Sequence, residues 1–444
     1  MTAERALVVG LGITGEAVAR QLLRHRWDVT VVDDRGGPDA RSRAIDLGVE
    51  LVVGPSAADF EKLVANVDVV CPGPGVPAAH PVHAVCAALG KPEWTELELA
   101  ARWDERPVVA ITGTNGKTTV TAMVTQMLVQ SGRRAVTAGN DATPLVDALD
   151  DGGAAELFVV EASSFRLQYI ETFRPIVGTW LNFAEDHLDW HPDMAHYAAA
   201  KARIWENQRG GDVAVANAED DEVMRRARGV ASRLVTFGLA RGDFHVARDH
   251  VVAADGVPIA AIGELARPLP HDVANLLAAA ATAIAAGATI DACAHVARSF
   301  QGLPHRMQLV GDSGGVRFYD DSKATTPASV LAALAGLPSV VLIAGGRNKG
   351  LDLGVLRAAG HHLRAVVAIG EAAGAVDAAL SSVATVTRAA SMDEAVEVSI
   401  ALARPGDAVL LSPGCASYDW YGSYAERGDD FARAVTAAVG GQGR

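Results

Sequence analysis

The chain has 444 residues, half of them hydrophobic and 21% charged. At roughly 150 residues per domain that is material for about three packed domains, and it excludes a fibrous or largely disordered chain. Fifty-three acidic residues against 39 basic ones give a net charge of −14. That balance argues against a general binder of nucleic acid or of an anionic membrane surface, but small anionic ligands need only a few local cations and backbone amides. Cys71, Cys86, Cys293 and Cys415 form no CxxC pair. The opening MTAERALVVG lacks a charged segment followed by a long apolar one, so free thiols and a cytoplasmic location are expected.

In chain order, Ala6–Gly10 reads as a strand entering a glycine turn, followed by a helix over about Gly15–Arg24. Strands over Val29–Asp33, Leu51–Gly54 and Val67–Cys71 follow, then a connector with a short helix over Gly90–Pro107. A second α/β unit carries Val108–Thr112, Leu157–Ser163, Ile176–Phe183, Asp212–Asn217 and Arg233–Gly238. It closes with Ala-rich helices near Val273–Ala286 and Asp291–Phe300. Val273–Ile290 is uncharged over 18 residues. Its alanine content, and Asn275 and Thr282 inside it, favour a buried soluble helix over a membrane span. After a Gly/Pro break at Gln301–Arg306, a third unit holds VRFYDD, SVVLIAGG, AVVAIG, ATVTRA and AVLLSPG. Strands alternating with helices throughout predict parallel α/β domains.

Gly10-Leu11-Gly12-Ile13-Thr14-Gly15 matches G-x-G-x-x-G between a strand and a helix. Asp33 and Asp34 stand about 20 residues on, at the end of the next strand, where a carboxylate suits a ribose hydroxyl. Glycines let the backbone approach an anion at the helix N-terminus. Taken alone, the loop fits a dinucleotide site or a bare strand–helix turn. A second loop, Gly113-Thr114-Asn115-Gly116-Lys117-Thr118-Thr119, lies between Val108–Thr112 and a helix with apolar Val120, Met123, Val124, Met127 and Leu128. Strand, Gly-Lys-Thr loop and helix make a phosphate cradle: amides hold oxygens, Lys117 neutralises charge, and Thr118 is placed to ligate Mg²⁺. The loop is a shortened variant, with Ile111 where the full pattern has Gly. Glu161 ends a buried strand, as a metal carboxylate would or as a turn cap would. His187 follows another, with His191 beside it; the bland alternative is a helix-surface histidine pair, and no HExxH or Cys partner supports zinc.

TGTNGKTT, VVEASSFRL, NFAEDHLD followed by YAAAKARIWEN, LPHRM, DDSKATTP and AGGRNKG occur in that order. Together they resemble the Mur ligases, ATP-dependent amino-acid ligases of peptidoglycan precursor synthesis. The resemblance covers nearly the whole chain. GLGITG, DDSKAT and SPGCASYDWYGSYAERGDDF look most like the branch that adds D-glutamate; the DNPR-type motif of ligases that add a diamino acid is absent.

The resemblance implies three α/β domains: a Rossmann-like domain over 1–97 for the uridine diphosphate of the substrate, a central phosphate-loop ATPase domain over 98–303, and a Rossmann-like domain over 304–444 that binds the amino acid and closes on ATP. It implies UDP-N-acetylmuramoyl-L-alanine, D-glutamate and ATP as substrates, an acyl-phosphate intermediate, and a monomer. By resemblance Ile13, Thr14, Asp34, Arg35, Gly73 and Asn140 contact the uridine substrate. Gly113, Thr114, Asn115, Gly116, Lys117, Thr118, Thr119, Asn275, Arg306 and Asp321 contact ATP, while Asp272 stands where relatives often have Asn. Thr118 and Glu161 hold one Mg²⁺; His187 and a carbamylated Lys201 hold a second. Lys117, His187 and Lys201 carry the catalysis. From sequence alone Lys201 reads as a surface lysine on a helix. Thr325, Lys349, Ser417, Tyr418 and Tyr424 fall at positions that resemble a D-glutamate pocket, and Lys323 reads as structural or a rim charge. Rival readings are an NAD-dependent dehydrogenase built on GLGITG, a nucleotide switch built on GTNGKTT, and a related amide ligase of the folylpolyglutamate type.

Overall fold

A computed structural model of the chain describes residues 4–140, 143–150, 153–188 and 190–440. These fall into two compact units: residues up to Phe183 with His187–Leu265 and Ala274–Ser299, and residues Ala184–Asp186, Ala266–Val273 and from Phe300 onward.

The first unit holds three sheets. β1 (Arg5–Val9), β2 (Asp28–Asp33), β3 (Glu50–Val53) and β4 (Val69–Pro72) form a parallel sheet in the order β3-β2-β1-β4. β5 (Val108–Thr112), β6 (Ala135–Gly139), β7 (Leu157–Glu161), β8 (Val177–Trp180), β9 (Val213–Asn217) and β10 (Arg233–Phe237) form a second, ordered β10-β9-β8-β5-β7-β6 and parallel throughout. The inner strands are short apolar runs buried on both faces, the pattern of a sheet covered on both sides, while the edge strands β3 and β10 are largely exposed or half-buried. One core of buried residues runs through both sheets, from Ala6, Val8 and Leu22 to Phe158, Trp180 and Trp205. The helix Lys117–Gln130 buries Val120, Met123, Val124, Met127 and Leu128, the periodic face read from the sequence, each worth about 1.5–3 kcal/mol relative to exposure.

Two features depart from the expected parallel alternation. β11 (His245–Ala247), β12 (His250–Val252) and β13 (Pro258–Ala261) make a small antiparallel sheet. In the second unit β14 (Gln308–Ser313) runs antiparallel to β15 (Val316–Asp320) at one edge. Strands this short carry little alternation for a sequence reading to use. β16 (Val340–Gly345), β17 (Leu363–Ile369), β18 (Thr385–Arg388) and β19 (Ala408–Leu411) complete that sheet in parallel, in the order β14-β15-β19-β16-β17-β18.

The Ala-rich segment folds as a helix over Pro270–Ala285, which ends before Gly287 with its left-handed φ of +97°. Among the described residues no helix is long and apolar enough to cross a membrane. The four cysteines are buried and free of disulfides.

Candidate active site

In the first sheet, β1 pairs with β2 on one side and β4 on the other, so the chain order reverses there. In an open parallel sheet a ligand crevice forms outside the strands' carboxyl ends at such a reversal. A cleft of about 880 Å³ lies there, lined by Gly10–Gly15, Asp34, Arg35, Gly73–Val76, Asn140 and Arg166, among others. All six residues expected to contact the uridine substrate, Ile13, Thr14, Asp34, Arg35, Gly73 and Asn140, line it. Gly15 has to be glycine, because a Cβ there would collide with the carbonyl oxygen of Gly10.

The two neighbouring carboxylates separate by their partners. Asp33 accepts the N–H groups of Leu11 (3.1 Å), Arg35 (3.1 Å) and Gly36 (2.8 Å). Burial pushes its carboxyl up, but the amides of Gly36, Leu11 and Arg35 outweigh that and hold it below the ordinary value. Asp33 thus helps to build the loop, while it also lines the cleft. Asp34 is exposed, and its carboxylate faces Nε2 of the half-buried His80 at 3.2 Å.

In the second sheet β5 lies between β7 and β8, and the Gly113–Thr119 loop leaves its end. The loop is shaped by Asn182, just past β8. Asn182 Oδ1 accepts the N–H groups of Thr114 (3.1 Å) and Asn115 (2.9 Å), and its Nδ2 donates to the Asn115 carbonyl at 3.1 Å. Lys117 Nζ donates back to the Thr114 carbonyl at 3.0 Å. Gly116 is left-handed at φ +84°, and a Cβ there would stand 2.5 Å from Asn275 Oδ1. Asn275 is therefore brought against the loop. Thr118 and the buried Thr119 are the second and third residues of the helix that the loop opens.

Lys201 is 1% exposed, so the surface-lysine reading is wrong. It shares the buried face of the helix Met194–Ala202 with Tyr197, Ala198 and Ala200. Its Nζ donates to the Gly113 carbonyl at 2.7 Å and lies 4.6 Å from the Tyr197 ring. The Tyr197 hydroxyl lies 3.3 Å from Thr114 Oγ1. His187 packs against Tyr197 with ring centroids 6.0 Å apart, and its backbone is left-handed at φ +57°, a strained conformation that surroundings must enforce. The surface histidine pair is also corrected: His191 is buried, with Nε2 2.8 Å from Ser164 Oγ and Nδ1 2.8 Å from His196 Nδ1. Burial, then the nearby His196, Lys201 and His187, push the His191 imidazole down to about 3. Glu161 ends β7 at 3% exposure. Among the described residues no group of three or more His, Cys, Asp or Glu gathers as a metal site.

In the second unit, the loops after β15, β19 and β16, neighbours in the sheet, are tied together. Gly414 N–H donates to the Ala324 carbonyl at 2.9 Å, and Arg347 and Ala416 exchange backbone bonds at 2.9 and 3.0 Å. Thr325, Lys349, Ser417 and Tyr418 sit on these loops; Lys349 and Tyr418 are exposed, Thr325 half-buried and Ser417 buried. Tyr424 joins them: its carbonyl accepts from Ser322 Oγ at 2.8 Å, and Lys323 Nζ lies 4.0 Å from its ring. The cation–π contact gives Lys323 a structural part. Arg427 carries no sequence signal of such a role. Its buried guanidinium donates to Ser322 Oγ (2.9 Å), the Ser322 carbonyl (2.8 Å) and the Cys415 carbonyl (3.2 Å), locking two of these loops. Asp321 accepts from Met307 N–H (3.2 Å) and Ser412 Oγ (2.8 Å). The half-buried Arg306 lies between His305 and Met307, both left-handed. Asp272 is bound to Arg267 at 3.0 Å, and Arg267 in turn donates to the Arg306 carbonyl at 3.0 Å. That ties Asp272 to loop structure.

Three family descriptions match the chain in succession: "Mur ligase MurD-like, N-terminal domain" at residues 4–92, "Mur ligase middle domain" at 111–283, and "Mur ligase, glutamate ligase domain" at 305–415. A UDP-N-acetylmuramoylalanine–D-glutamate ligase of Desulfosudis oleivorans is 42% identical, covering 97% of this chain and 96% of the relative. One of Frankia casuarinae is 43% identical, covering 98% and 94%. The MurF ligase of Thermotoga maritima, solved in complex with ADP, shares the fold with a TM-score of 0.61 at 16% identity, covering 99% of this chain and 96% of that one. The chain belongs to the Mur ligase family.

Proposed function

We propose that this ligase joins D-glutamate to the alanyl carboxylate of UDP-N-acetylmuramoyl-L-alanine, with ATP converted to ADP and phosphate. More coarsely, the protein is an ATP-dependent Mur-type ligase that adds an amino acid to a UDP-N-acetylmuramoyl precursor. The choice of D-glutamate is supported by the 42–43% identity to the D-glutamate ligases of Desulfosudis oleivorans and Frankia casuarinae, and the use of a uridine precursor with ATP by the pair of glycine loops. One lines a cleft of about 880 Å³ with the six residues expected for a uridine nucleotide. The other is a lysine-bearing phosphate cradle at the end of β5.

A carboxylate acylates amines poorly because its oxygen leaves badly. In the proposed reaction a carboxylate oxygen attacks the γ-phosphorus of ATP, the bond to the bridging oxygen breaks, and ADP leaves. The D-glutamate amine attacks the acyl carbon of the resulting acyl phosphate, gives up a proton, and phosphate departs to leave an amide. Every reactant is anionic, so charge neutralisation and positioning dominate.

Lys117 and the loop amides of Gly113, Thr114, Asn115, Gly116 and Thr119 cradle the phosphates, with Asn275, Arg306 and Asp321 completing the nucleotide site. Oxygen donors suit a hard divalent ion, and the hydroxyl of Thr118 with the buried carboxylate of Glu161 fits Mg²⁺. Carbamylation of the buried Lys201 would turn a cation beside the Gly113 carbonyl into a second oxygen donor, working with His187. Bound Mg²⁺ supplies neutralisation of the phosphate charge. Thr325, Lys349, Ser417, Tyr418 and Tyr424 are the proposed D-glutamate contacts, with the Lys349 ammonium suited to a carboxylate. We assign the uridine substrate to residues 1–97, ATP to 98–303 and the amino acid to 304–444; the separate sheets formed by β1–β4, β5–β10 and β14–β19 support that division. A monomer acting in the cytoplasm completes the proposal.

The test is phosphate release from ATP with UDP-N-acetylmuramoyl-L-alanine present and amino acids offered singly. Strict dependence on D-glutamate is expected. Turnover with another amino acid instead would move the chain to a different Mur-type specificity, and nicotinamide reduction without ligation would refute the reading.

A further inference from the structure

Arg166 lines the glycine-loop cleft but is 3% exposed. It comes from the short helix Ser164–Leu167, just after β7. Its Nη1 donates to Glu96 Oε1 at 2.6 Å and its Nη2 to Thr14 Oγ1 at 3.1 Å, across 152 residues of sequence. Nε of Arg166 and Oε2 of Glu96 are both buried without a hydrogen-bond partner. A buried ion pair with unfilled bonding capacity is weak evidence for stability, since apolar residues of similar size often serve as well. Its place beside a large cleft calls for another explanation.

The other charges around the cleft sharpen the point. Arg43 is engaged by Glu16 at 3.0 Å and by the Leu11 carbonyl at 3.1 Å. Asp33, Asp34 and Asp39 add negative charge. A diphosphate entering there meets the amides of the glycine loop, the exposed Arg35, and a guanidinium already fixed to the Thr14 hydroxyl. Burial pushes the Glu96 carboxyl above the ordinary range, against the pull of Arg166.

We propose that Arg166 is a specificity-determining binding residue for the diphosphate of the uridine substrate, held ready by Glu96 and Thr14. This rests on the cleft being the uridine-nucleotide site. The arginine reads the charge of the linkage, and the base and ribose are left to Asp34 and its neighbours. A planar fork preset by two partners loses little freedom when it adds an anionic one.

The experiment measures binding of uridine, UMP and UDP to the full chain by calorimetry, with ADP as a control ligand. Arg166→Gln alone would strand a buried Glu96 charge, so the key variant is Arg166→Gln with Glu96→Gln, which removes both charges and keeps neutral hydrogen-bonding groups. UDP affinity is expected to fall about ten- to thirtyfold, as for loss of a charge-assisted bond, with uridine affinity changed less than about twofold. Glu96→Gln alone should retain or tighten UDP binding. Equal losses for uridine and UDP, no loss for UDP, or a loss in Glu96→Gln as large as in the double variant would each overturn the proposal. If the wild-type chain bound no uridine ligand better than ADP at this cleft, the reading beneath it would fall and this inference with it. That failure is seen in the wild type, whereas failure of the inference alone is seen only in the variants.

Discussion

Asp321, at the end of β15, offers a test that reads the second unit through its stability. The side chain is buried, with Met307 N–H at 3.2 Å on one oxygen and Ser412 Oγ at 2.8 Å on the other. Burial pushes its carboxyl up to about 7; the bonds from Ser412 and Met307 and the charge of Arg306 oppose that rise without cancelling it. Between the ordinary value of 3.8 and about 7, the folded chain therefore keeps a proton that the unfolded chain has released. Stability falls as pH rises through that window, and the loss is complete above the folded value. At about 1.4 kcal/mol for each pH unit the window spans, the full loss is about 4 kcal/mol, of which about 3 kcal/mol develops between about pH 5 and about pH 8.

Asp321→Asn removes the titration while keeping an acceptor for Met307 N–H, and the Ser412 hydroxyl can turn to accept from the new amide. The variant should gain on the wild type steadily as pH rises. The assay is denaturant unfolding of both proteins without nucleotide, across about pH 5 to about pH 8. Stability curves that run parallel would refute the reasoning, because they would mean that Asp321 titrates alike in the folded and unfolded chains. The same variant should bind ATP more weakly, if the nucleotide contact assigned to Asp321 holds.

Lys117→Ala should lower acyl-phosphate formation by about a hundred- to a thousandfold and leave UDP-substrate affinity nearly unchanged, as read by trapping the acyl phosphate beside calorimetry; a matched loss of both would refute it. Lys201→Ala should abolish turnover with no rescue by added bicarbonate, and intact wild-type protein prepared under CO₂ should carry the carbamate mass on the peptide containing Lys201; unchanged activity would return Lys201 to a packing role. Asn182→Ala strips three side-chain hydrogen bonds from the phosphate loop, about 1.5–4.5 kcal/mol at about 0.5–1.5 kcal/mol each. It should raise the KM for ATP about tenfold without moving UDP-substrate affinity; a loss of UDP-substrate affinity as large would show a general collapse instead.

What the sequence makes legible follows from how far each signal reaches. The glycine loops can be read because their geometry is local: Gly15 must clear the Gly10 carbonyl five residues away, and Gly116 needs a left-handed backbone wherever it is placed. The buried face of the helix Lys117–Gln130 is equally plain from its spacing. Lys201 misleads because a lysine among alanines looks solvated until its acceptor, the Gly113 carbonyl 88 residues away, is known. Arg427 clasps Ser322 across 105 residues, and Asn182 fastens the phosphate loop from 67 residues away. For Asn182 a signal is available: a polar residue just past the end of a buried strand, in a unit where ligands gather at strand ends. The neighbours Asp33 and Asp34 set the limit of such reading. The two side chains are chemically the same and both line the cleft, yet three backbone amides bind Asp33 while Asp34 faces His80. Spacing announces where an acid stands; whether it is available for a ligand depends on which distant groups have already taken its lone pairs.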